Sequence, residues 1–132
     1  ANTQDEANAA YLEKYANEDG VTKRPSGVMY KVVKSGPDGG RQPSATSTIS
    51  FSYRGEFIDG TVFDSSDAAG GPVTFELQHL IPGWVEVIPL MKEGDVWQVV
   101  VPYQLGYGAE GRGPIPPRQT LIFQIELVKV VS

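Results

Sequence analysis

The last part of the chain alternates between apolar and polar side chains over residues 123–127, and this pattern constrains the fold more than any other feature. A period of two places successive side chains on opposite faces of a β-strand. One face of this predicted strand, over residues 120–131, is dry and the other is wet, which is typical of antiparallel sheets. The dry face carries Leu121, Phe123, Ile125 and Leu127, and the wet face carries Gln124 and Glu126.

Similar short runs recur earlier in the chain and are separated by turns rich in glycine and proline. Asp59-Gly60 is a hairpin signal, and it places residues 56–58 opposite residues 61–63. Several short strands with one wet face predict one antiparallel sheet rather than alternating βα units. The remaining predicted strands cover residues 28–33, 49–53, 73–77 and 95–101.

Within this region, one segment has the spacing of a helix. Apolar residues at i, i+1, i+4 and i+7 from Trp84 predict a helix over residues 83–91. Pro89 lacks an N–H and crowds the preceding turn, so we expect this helix to be short or kinked there. The predicted class is α+β, with a twisted antiparallel sheet of five or six strands wrapped around this short helix.

An additional helix is predicted before the sheet, at the N-terminus. Thr3 and Glu6 have the spacing of a capping box and begin a run of good helix formers about 14 residues long. Its apolar side is thin, so we expect the helix to pack against something or to belong to something longer. We divide the chain into an N-terminal helix and linker, residues 1–24, and a sheet domain, residues 25–132. The apolar side of the helix consists of Ala7, Tyr11, Leu12 and Tyr15.

Composition excludes several classes of function. The chain has no cysteine and a single histidine, His79, which argues against thiol chemistry, zinc sites and histidine-dependent triads. We therefore expect no metal and no cofactor. The net charge is −5, and Lys23-Arg24 is the longest basic cluster, so we expect no nucleic-acid partner. No apolar run approaches the roughly 20 residues of a membrane span.

Three patterns in the sequence resemble functional motifs, but each has a simpler explanation. The run from Gly106 to Gly111 matches G-x-G-x-x-G, but Arg-Gly-Pro-Ile-Pro-Pro follows it where a dinucleotide site needs a helix. Asp64 with Glu76, Glu86 or Glu110 could be imagined as a glycosidase pair, yet no spacing favours one. His79 precedes a turn and is interpreted as a loop residue.

Aromatic side chains form the most informative set. Each of them alone is as well explained by core packing. However, Phe63 is followed directly by Asp64, and Tyr107 lies in a loop rich in glycine and proline, which favours a lined groove with polar tips. The set comprises Tyr53, Phe63, Trp84, Tyr107 and Phe123.

Five motifs occur in a fixed order along the chain: Tyr53-Arg54-Gly55, Asp59-Gly60-Thr61-Val62-Phe63-Asp64-Ser65-Ser66, Ile81-Pro82-Gly83-Trp84, Leu105-Gly106-Tyr107-Gly108 and Ile115-Pro116-Pro117. Together they resemble one known family, the FKBP-type peptidyl-prolyl cis-trans isomerases. The likeness covers about residues 26–131, and the lead-in over residues 21–30 resembles the macrophage infectivity potentiator branch, whose members are typically exported.

The resemblance implies a hydrophobic proline pocket with Trp84 as its floor. Its polar tips are Asp64 and the Tyr107 hydroxyl, and the backbone N–H of Ile81 is the expected donor to a bound peptide carbonyl. Phe63, Asp64, Ile81 and Tyr107 are thereby implied as the catalytic residues. The implied substrate- and inhibitor-binding residues are Tyr53, Phe63, Asp64, Val73, Leu80, Ile81, Trp84, Tyr107, Ile115 and Phe123.

The chain departs from the family pattern at the edges of this pocket. Val73 stands where an aromatic residue is frequent, Arg112 stands where some members have histidine, and the loop over residues 111–117 is short. These departures concern the breadth of the pocket and its preference for the residue before proline.

Asp64 has two possible roles. Tyr107 or a nearby arginine such as Arg54 could fix its carboxylate so that it holds the shape of the pocket, or the carboxylate could contact the twisting carbonyl carbon of the substrate. The sequence leaves both roles open.

Two functions of different classes follow from the resemblance. The first is a prolyl isomerase that assists folding of proline-containing peptides and unfolded proteins and binds the macrolides tacrolimus and rapamycin. The second is a binding module or holdase that grips such segments without turnover. We further expect a monomer in an extracytoplasmic compartment.

Overall fold

The computed structural model describes residues 3–132, apart from the side chains of residues 68 and 69. Residues 1 and 2 of the predicted N-terminal segment lie outside the described residues. Two α-helices and seven β-strands follow one another within the described residues. The helices are α1 (Thr3–Ala16) and α2 (Pro82–Val87), and the strands are β1 (Val21–Lys23), β2 (Met29–Lys34), β3 (Thr48–Glu56), β4 (Val62–Ser65), β5 (Val73–Glu76), β6 (Val96–Val101) and β7 (Leu121–Val130).

The strands form one antiparallel sheet in the order β1-β2-β6-β7-β3-β4. β5 and β4 lie along the same side of β3, where β5 pairs with residues 48–51 and β4 with residues 54–56. The predicted α+β class is confirmed, and the sheet has seven strands rather than five or six. The additional strand is β1, from the segment assigned to the linker, which pairs Val21 with Lys31.

The short helix ends near Pro89, as predicted. α2 ends at Val87 and a 3₁₀ turn, Ile88–Leu90, continues the chain. Proline cannot donate to the preceding turn, so the α-helical bonding stops there. The sheet curves around this helix, and Val87, Ile88 and Met91 are fully buried against its concave face.

α1 packs on the opposite, outer face of the sheet. Tyr15 of α1 is buried with Met29, Val100 and Ile122 of three neighbouring strands. Ala7, which the sequence placed on the apolar side, is exposed, and Asn8 is buried instead. None of the described helices is long and apolar enough to cross a membrane.

Candidate active site

Trp84 forms the bottom of a pocket on the concave face of the sheet. It lies in the first turn of α2 and is 5% exposed. Three rings stand steeply against its indole: Phe51, Tyr53 and Phe123, with interplanar angles of 74–85° and centroids 4.8–5.4 Å away. Such edge-to-face contacts are favourable for aromatic pairs. The indole therefore lies among upright aromatic walls.

One wall depends on the absence of a side chain at Gly55. A Cβ there would lie 2.6 Å from Phe63 Cζ and 2.9 Å from Phe123 Cε1. Phe63 and Phe123 pack edge to face over this gap, at 5.8 Å between centroids. β3 must therefore carry glycine at this point for the two rings to meet.

The pocket has a volume of about 180 Å³. That is several times the roughly 30 Å³ that one water occupies in the liquid, so a five-membered ring fits. Most of its lining is aromatic or aliphatic, and the polar side chains stand among these. The lining residues are Phe51, Tyr53, Phe63, Asp64, Phe75, His79, Leu80, Ile81, Trp84, Tyr107, Arg112 and Phe123.

A tyrosine on the neighbouring strand holds the carboxylate of Asp64. The Tyr53 hydroxyl donates to Asp64 Oδ2 over 2.7 Å. Burial, and then the hydrogen bond to Asp64, raise the pKa of Tyr53 well above its usual range, so this donor stays protonated. From the sequence, Tyr107 or Arg54 was expected to fix this carboxylate. Arg54 instead lies 3.7 Å from Glu56, because its side chain leaves the opposite face of β3 from Tyr53.

Tyr107 reaches the pocket from a tight turn that follows the 3₁₀ turn Tyr103–Leu105. Gly108 closes this turn by donating to the Tyr103 carbonyl over 2.8 Å, and its φ of 75° is one that glycine adopts readily. Burial raises the pKa of Tyr107, as does the charge of Asp64, while Arg112 acts in the opposite direction. Its hydroxyl is therefore a proton donor at neutral pH.

The entrance to α2 supplies a free backbone donor. Pro82 occupies the first position of the helix, and Ile81 caps it with extended backbone. The N–H of Ile81 donates to no group among the described residues. An unused N–H at a helix start is available to a ligand carbonyl.

Eight of the ten predicted binding residues line the pocket together. Ile115 lies in an adjoining hollow, which it shares with Phe63, Asp64, Tyr107 and Arg112. Val73 is half-buried, packs against the core and pairs with Phe51 across the sheet, and it is not among the residues that line the pocket. The eight are Tyr53, Phe63, Asp64, Leu80, Ile81, Trp84, Tyr107 and Phe123.

Sequence reasoning missed three lining residues. Phe51 precedes Tyr53 by two positions on the same face of β3, and this spacing was a signal for it. Phe75 is half exposed at the rim, and its ring centroid lies 6.3 Å from that of Phe51. His79, interpreted as a loop residue, also borders the pocket from the turn Leu77–His79.

The arrangement provides shape and dryness rather than a reactive group. Within residues 3–132, no group of three or more His, Cys, Asp or Glu side chains is placed to hold a metal ion. Trp84 Nε1 is buried and has no hydrogen-bond partner among the described residues. What the pocket can do is bind an apolar ring between aromatic walls and offer a few polar contacts at its rim.

Comparisons with known proteins agree with this site. The family model for FKBP-type peptidyl-prolyl cis-trans isomerases matches residues 39–128. The "Outer membrane protein MIP" of Legionella longbeachae is 43% identical over 122 residues, which are 92% of this chain and 52% of that protein. The chain spans about half the length of the curated relatives it matches.

Two solved structures have the same fold as this chain and related sequences. FkpA from Escherichia coli superimposes with a TM-score of 0.92 at 38% identity, covering 97% of this chain and 59% of that one. A peptidyl-prolyl cis-trans isomerase from Pseudomonas syringae has a TM-score of 0.89 at 31% identity, over 100% of this chain and 98% of its own. The chain therefore belongs to the FKBP-type peptidyl-prolyl cis-trans isomerase family, in its macrophage infectivity potentiator-like branch.

Proposed function

We propose that this chain is a peptidyl-prolyl cis-trans isomerase that accelerates rotation about X-Pro bonds in peptides and unfolded proteins. The observation that carries this proposal is the aromatic pocket above Trp84, which is large enough for a pyrrolidine ring and has its polar groups at the rim. The division at residue 24 stays a prediction about which part of the chain acts as the isomerase domain.

The barrier to be lowered belongs to the amide itself. An X-Pro bond prefers trans by only about 0.5–1 kcal/mol, yet rotation costs about 18–20 kcal/mol because resonance is lost as the C–N bond twists. No bond to another molecule has to form. A site without nucleophile, metal or cofactor is sufficient if it favours the twisted amide over the planar one.

A dry aromatic pocket makes that distinction by polarity. The planar amide has a large dipole that water solvates well, whereas the twisted amide has lost conjugation and is less polar. Moving both into the space around Trp84, Phe63 and Phe123 removes more solvation from the planar form. Each tenfold in rate requires about 1.4 kcal/mol of such a difference.

The rim groups orient the substrate. The free N–H of Ile81 at the pocket is available to donate a hydrogen bond to the carbonyl of a bound peptide. Asp64 keeps two roles in this proposal: it fixes the wall through Tyr53, and its exposed carboxylate is near enough to the pocket to act on the twisting carbonyl. An Asp64→Asn substitution removes the charge while keeping the shape, and so separates the two roles.

A peptide isomerisation assay tests the proposal. Catalytic amounts of the chain should accelerate cis-to-trans conversion in short X-Pro peptides, and affinity for the same peptides should be measured on the same sample. If the chain binds X-Pro peptides but accelerates isomerisation in none of the proline contexts tested, it is a binding module and not an isomerase.

Two narrower expectations accompany this function. Tacrolimus and rapamycin should compete with peptide for the pocket, so the inhibitor concentration that halves the rate should rise linearly with peptide concentration. We also propose an extracytoplasmic location, supported by the relative named an outer membrane protein. Fractionation of cells expressing the full-length protein tests the second expectation.

A further inference from the structure

A polar side chain in the middle of α1 reaches the loop that carries Tyr107. Asn8 is 5% exposed, and its Nδ2 donates to the carbonyl of Arg118 over 2.8 Å. Gln4, one turn earlier, donates to Asn8 Oδ1 over 2.9 Å and so fixes the orientation of the amide. Asparagine is a weak helix former, and its burial here is accounted for by these hydrogen bonds.

Arg118 has a backbone that needs support. Its φ of 59° is the only positive value for a non-glycine residue among those described. A residue with a Cβ adopts this region at a cost and persists there where surrounding contacts hold it. Two contacts come from α1: the Asn8 bond to the carbonyl, and an ion pair of 2.6 Å between Arg118 Nη1 and Asp5 Oδ2.

The held residue closes the loop on itself. The N–H of Arg118 donates to the carbonyl of Gly108 over 3.2 Å, directly after Tyr107. The closed segment between these two residues contains Arg112 and Ile115, which form a tight turn with two mutual backbone bonds of 2.9 Å. Arg112 and Ile115, which this loop contributes to the pocket or to the adjoining hollow, therefore lie within the closed segment, and Tyr107 directly precedes it.

We propose that Asn8 is a positioning residue for the loop over residues 106–118, with Asp5 as a weaker helper. No residue of α1 is among those that line the pocket. The helix thus acts on substrate affinity through the loop, by keeping Tyr107 and Ile115 in the geometry that accepts a peptide. This proposal rests on the proposed isomerase function for its kinetic consequences, but not for its structural ones.

The two contacts differ in weight. The side chains of Asp5 and Arg118 are 37% and 38% exposed, and ion pairs at such exposure contribute little. The Asn8 side chain is buried and Arg118 is half-buried, so loss of their hydrogen bond leaves the Arg118 carbonyl without this partner. Asn8 is therefore the residue to change.

The experiment uses the whole chain and compares two residues of the same helix. Asn8→Ala removes the bond to the loop, and Tyr15→Phe removes a bond of 2.9 Å from α1 to Gln98 on β6, away from the loop. Backbone hydrogen exchange over residues 106–118 is measured in both variants, together with kcat and KM for an X-Pro peptide.

We expect Asn8→Ala to speed exchange across the loop and to raise KM, each by about fivefold, which is the factor that one ordinary hydrogen bond represents. We expect Tyr15→Phe to leave both within about twofold of the unchanged chain, although it removes a bond of the same kind. Asn8→Leu, a good helix former of similar size, should reproduce the effect of Asn8→Ala with α1 still docked.

Equal changes in loop exchange in the Asn8 and Tyr15 variants, or no change in either, would overturn the positioning role and leave α1 as added stability. An unchanged chain that does not accelerate isomerisation would overturn the proposed function instead. Exchange in the loop would still decide the role of Asn8 in that case.

Discussion

Asp64 and Asp95 occupy opposite kinds of site in the same small domain. Asp95 is 4% exposed and accepts four hydrogen bonds: from the backbone N–H of Gly36 at 2.6 Å, from the backbone N–H of Lys92 at 3.1 Å, from Lys92 Nζ at 3.0 Å and from Trp97 Nε1 at 3.2 Å. Asp64 is exposed beside the pocket and accepts from the Tyr53 hydroxyl at 2.7 Å. A carboxylate has about four acceptor positions, so the first is saturated and the second is not.

The difference separates a carboxylate that holds the fold from one that is available to a ligand. Asp95 ties the loop at Gly36 and the turn at Lys92 to β6, and nothing in the pocket touches it. Asp64 has open acceptor positions at the rim of the pocket. A buried charge with many donors is retained for structure, whereas an incompletely satisfied one beside a cavity is a candidate for function.

The largest expected effect is on stability, at Asp95. Asp95→Asn should lower the free energy of unfolding by about 3 kcal/mol, since it removes the charge from a buried, fully donated site. Urea unfolding measures this. Activity per folded molecule should stay the same, and a loss of stability no larger than that of Asp64→Asn would contradict the comparison.

The next effect is on activity, at Asp64. Asp64→Asn keeps the shape and the acceptor for Tyr53 but removes the charge, and we expect kcat/KM to fall about tenfold if the carboxylate acts on the carbonyl. Peptide isomerisation measures this, with the melting temperature as the control. An unchanged kcat/KM would leave Asp64 only the task of holding the wall.

A smaller loss of activity is expected when Phe63, the ring that packs over Gly55, is changed. Phe63→Leu should lower kcat/KM about fivefold while the melting temperature stays within a few degrees, because Phe63 is only half-buried. Phe57→Leu is the matched control, since Phe57 stacks on Phe63 at 4.8 Å without lining the pocket. Equal losses of activity in the two variants would mean that Phe63 acts through packing.

The hydroxyl of Tyr53 gives a still smaller effect. Tyr53→Phe keeps the ring against Trp84 and frees Asp64, and we expect kcat/KM to fall about two- to threefold. Tyr30→Phe serves as the control, because Tyr30 stacks on Trp97 at 4.5 Å and does not line the pocket. A loss as large as that of Asp64→Asn would show that the two side chains act as one unit.

The smallest expected effect is in the acid range. Burial raises the pKa of Asp95, but the hydrogen bond from Gly36 and the bonds from Lys92 outweigh it, so the folded-state pKa lies below its usual value. The stabilisation is complete above the unfolded-state pKa of about 3.9, and it is lost as pH falls from there through the lower folded-state pKa. Urea midpoints between pH 2 and 6 should show a shallower acid decline in Asp95→Asn than in the unchanged chain. Identical declines would place the titration elsewhere.

The local sequence pattern predicted which residues form strands and helices better than it predicted which strands pair. The alternation over residues 120–131 became β7, Asp59-Gly60 lies in the loop that joins β3 to β4, and Pro89 marks the end of helical structure. However, β1 is three residues long and carries no periodic signal of its own. It is a strand because β2 offers it an edge.

The same contrast holds inside the pocket. The resemblance implied eight lining residues, and six of these lie within its five motifs, whose order along the chain is specific. The motifs did not reveal that the Tyr53 hydroxyl would donate to Asp64, or that Val73 would lie outside the pocket lining. Both facts depend on strand register.

The sequence by itself determined strands β2 to β7, the two helices and the chemical character of the pocket, because side-chain period and proline act over a few residues. Only the tertiary structure decided that Trp84 faces a cavity and that Asn8 is buried against Arg118. Those facts arise from the curvature of the sheet and from contacts between residues as far as 110 positions apart, which no local pattern records.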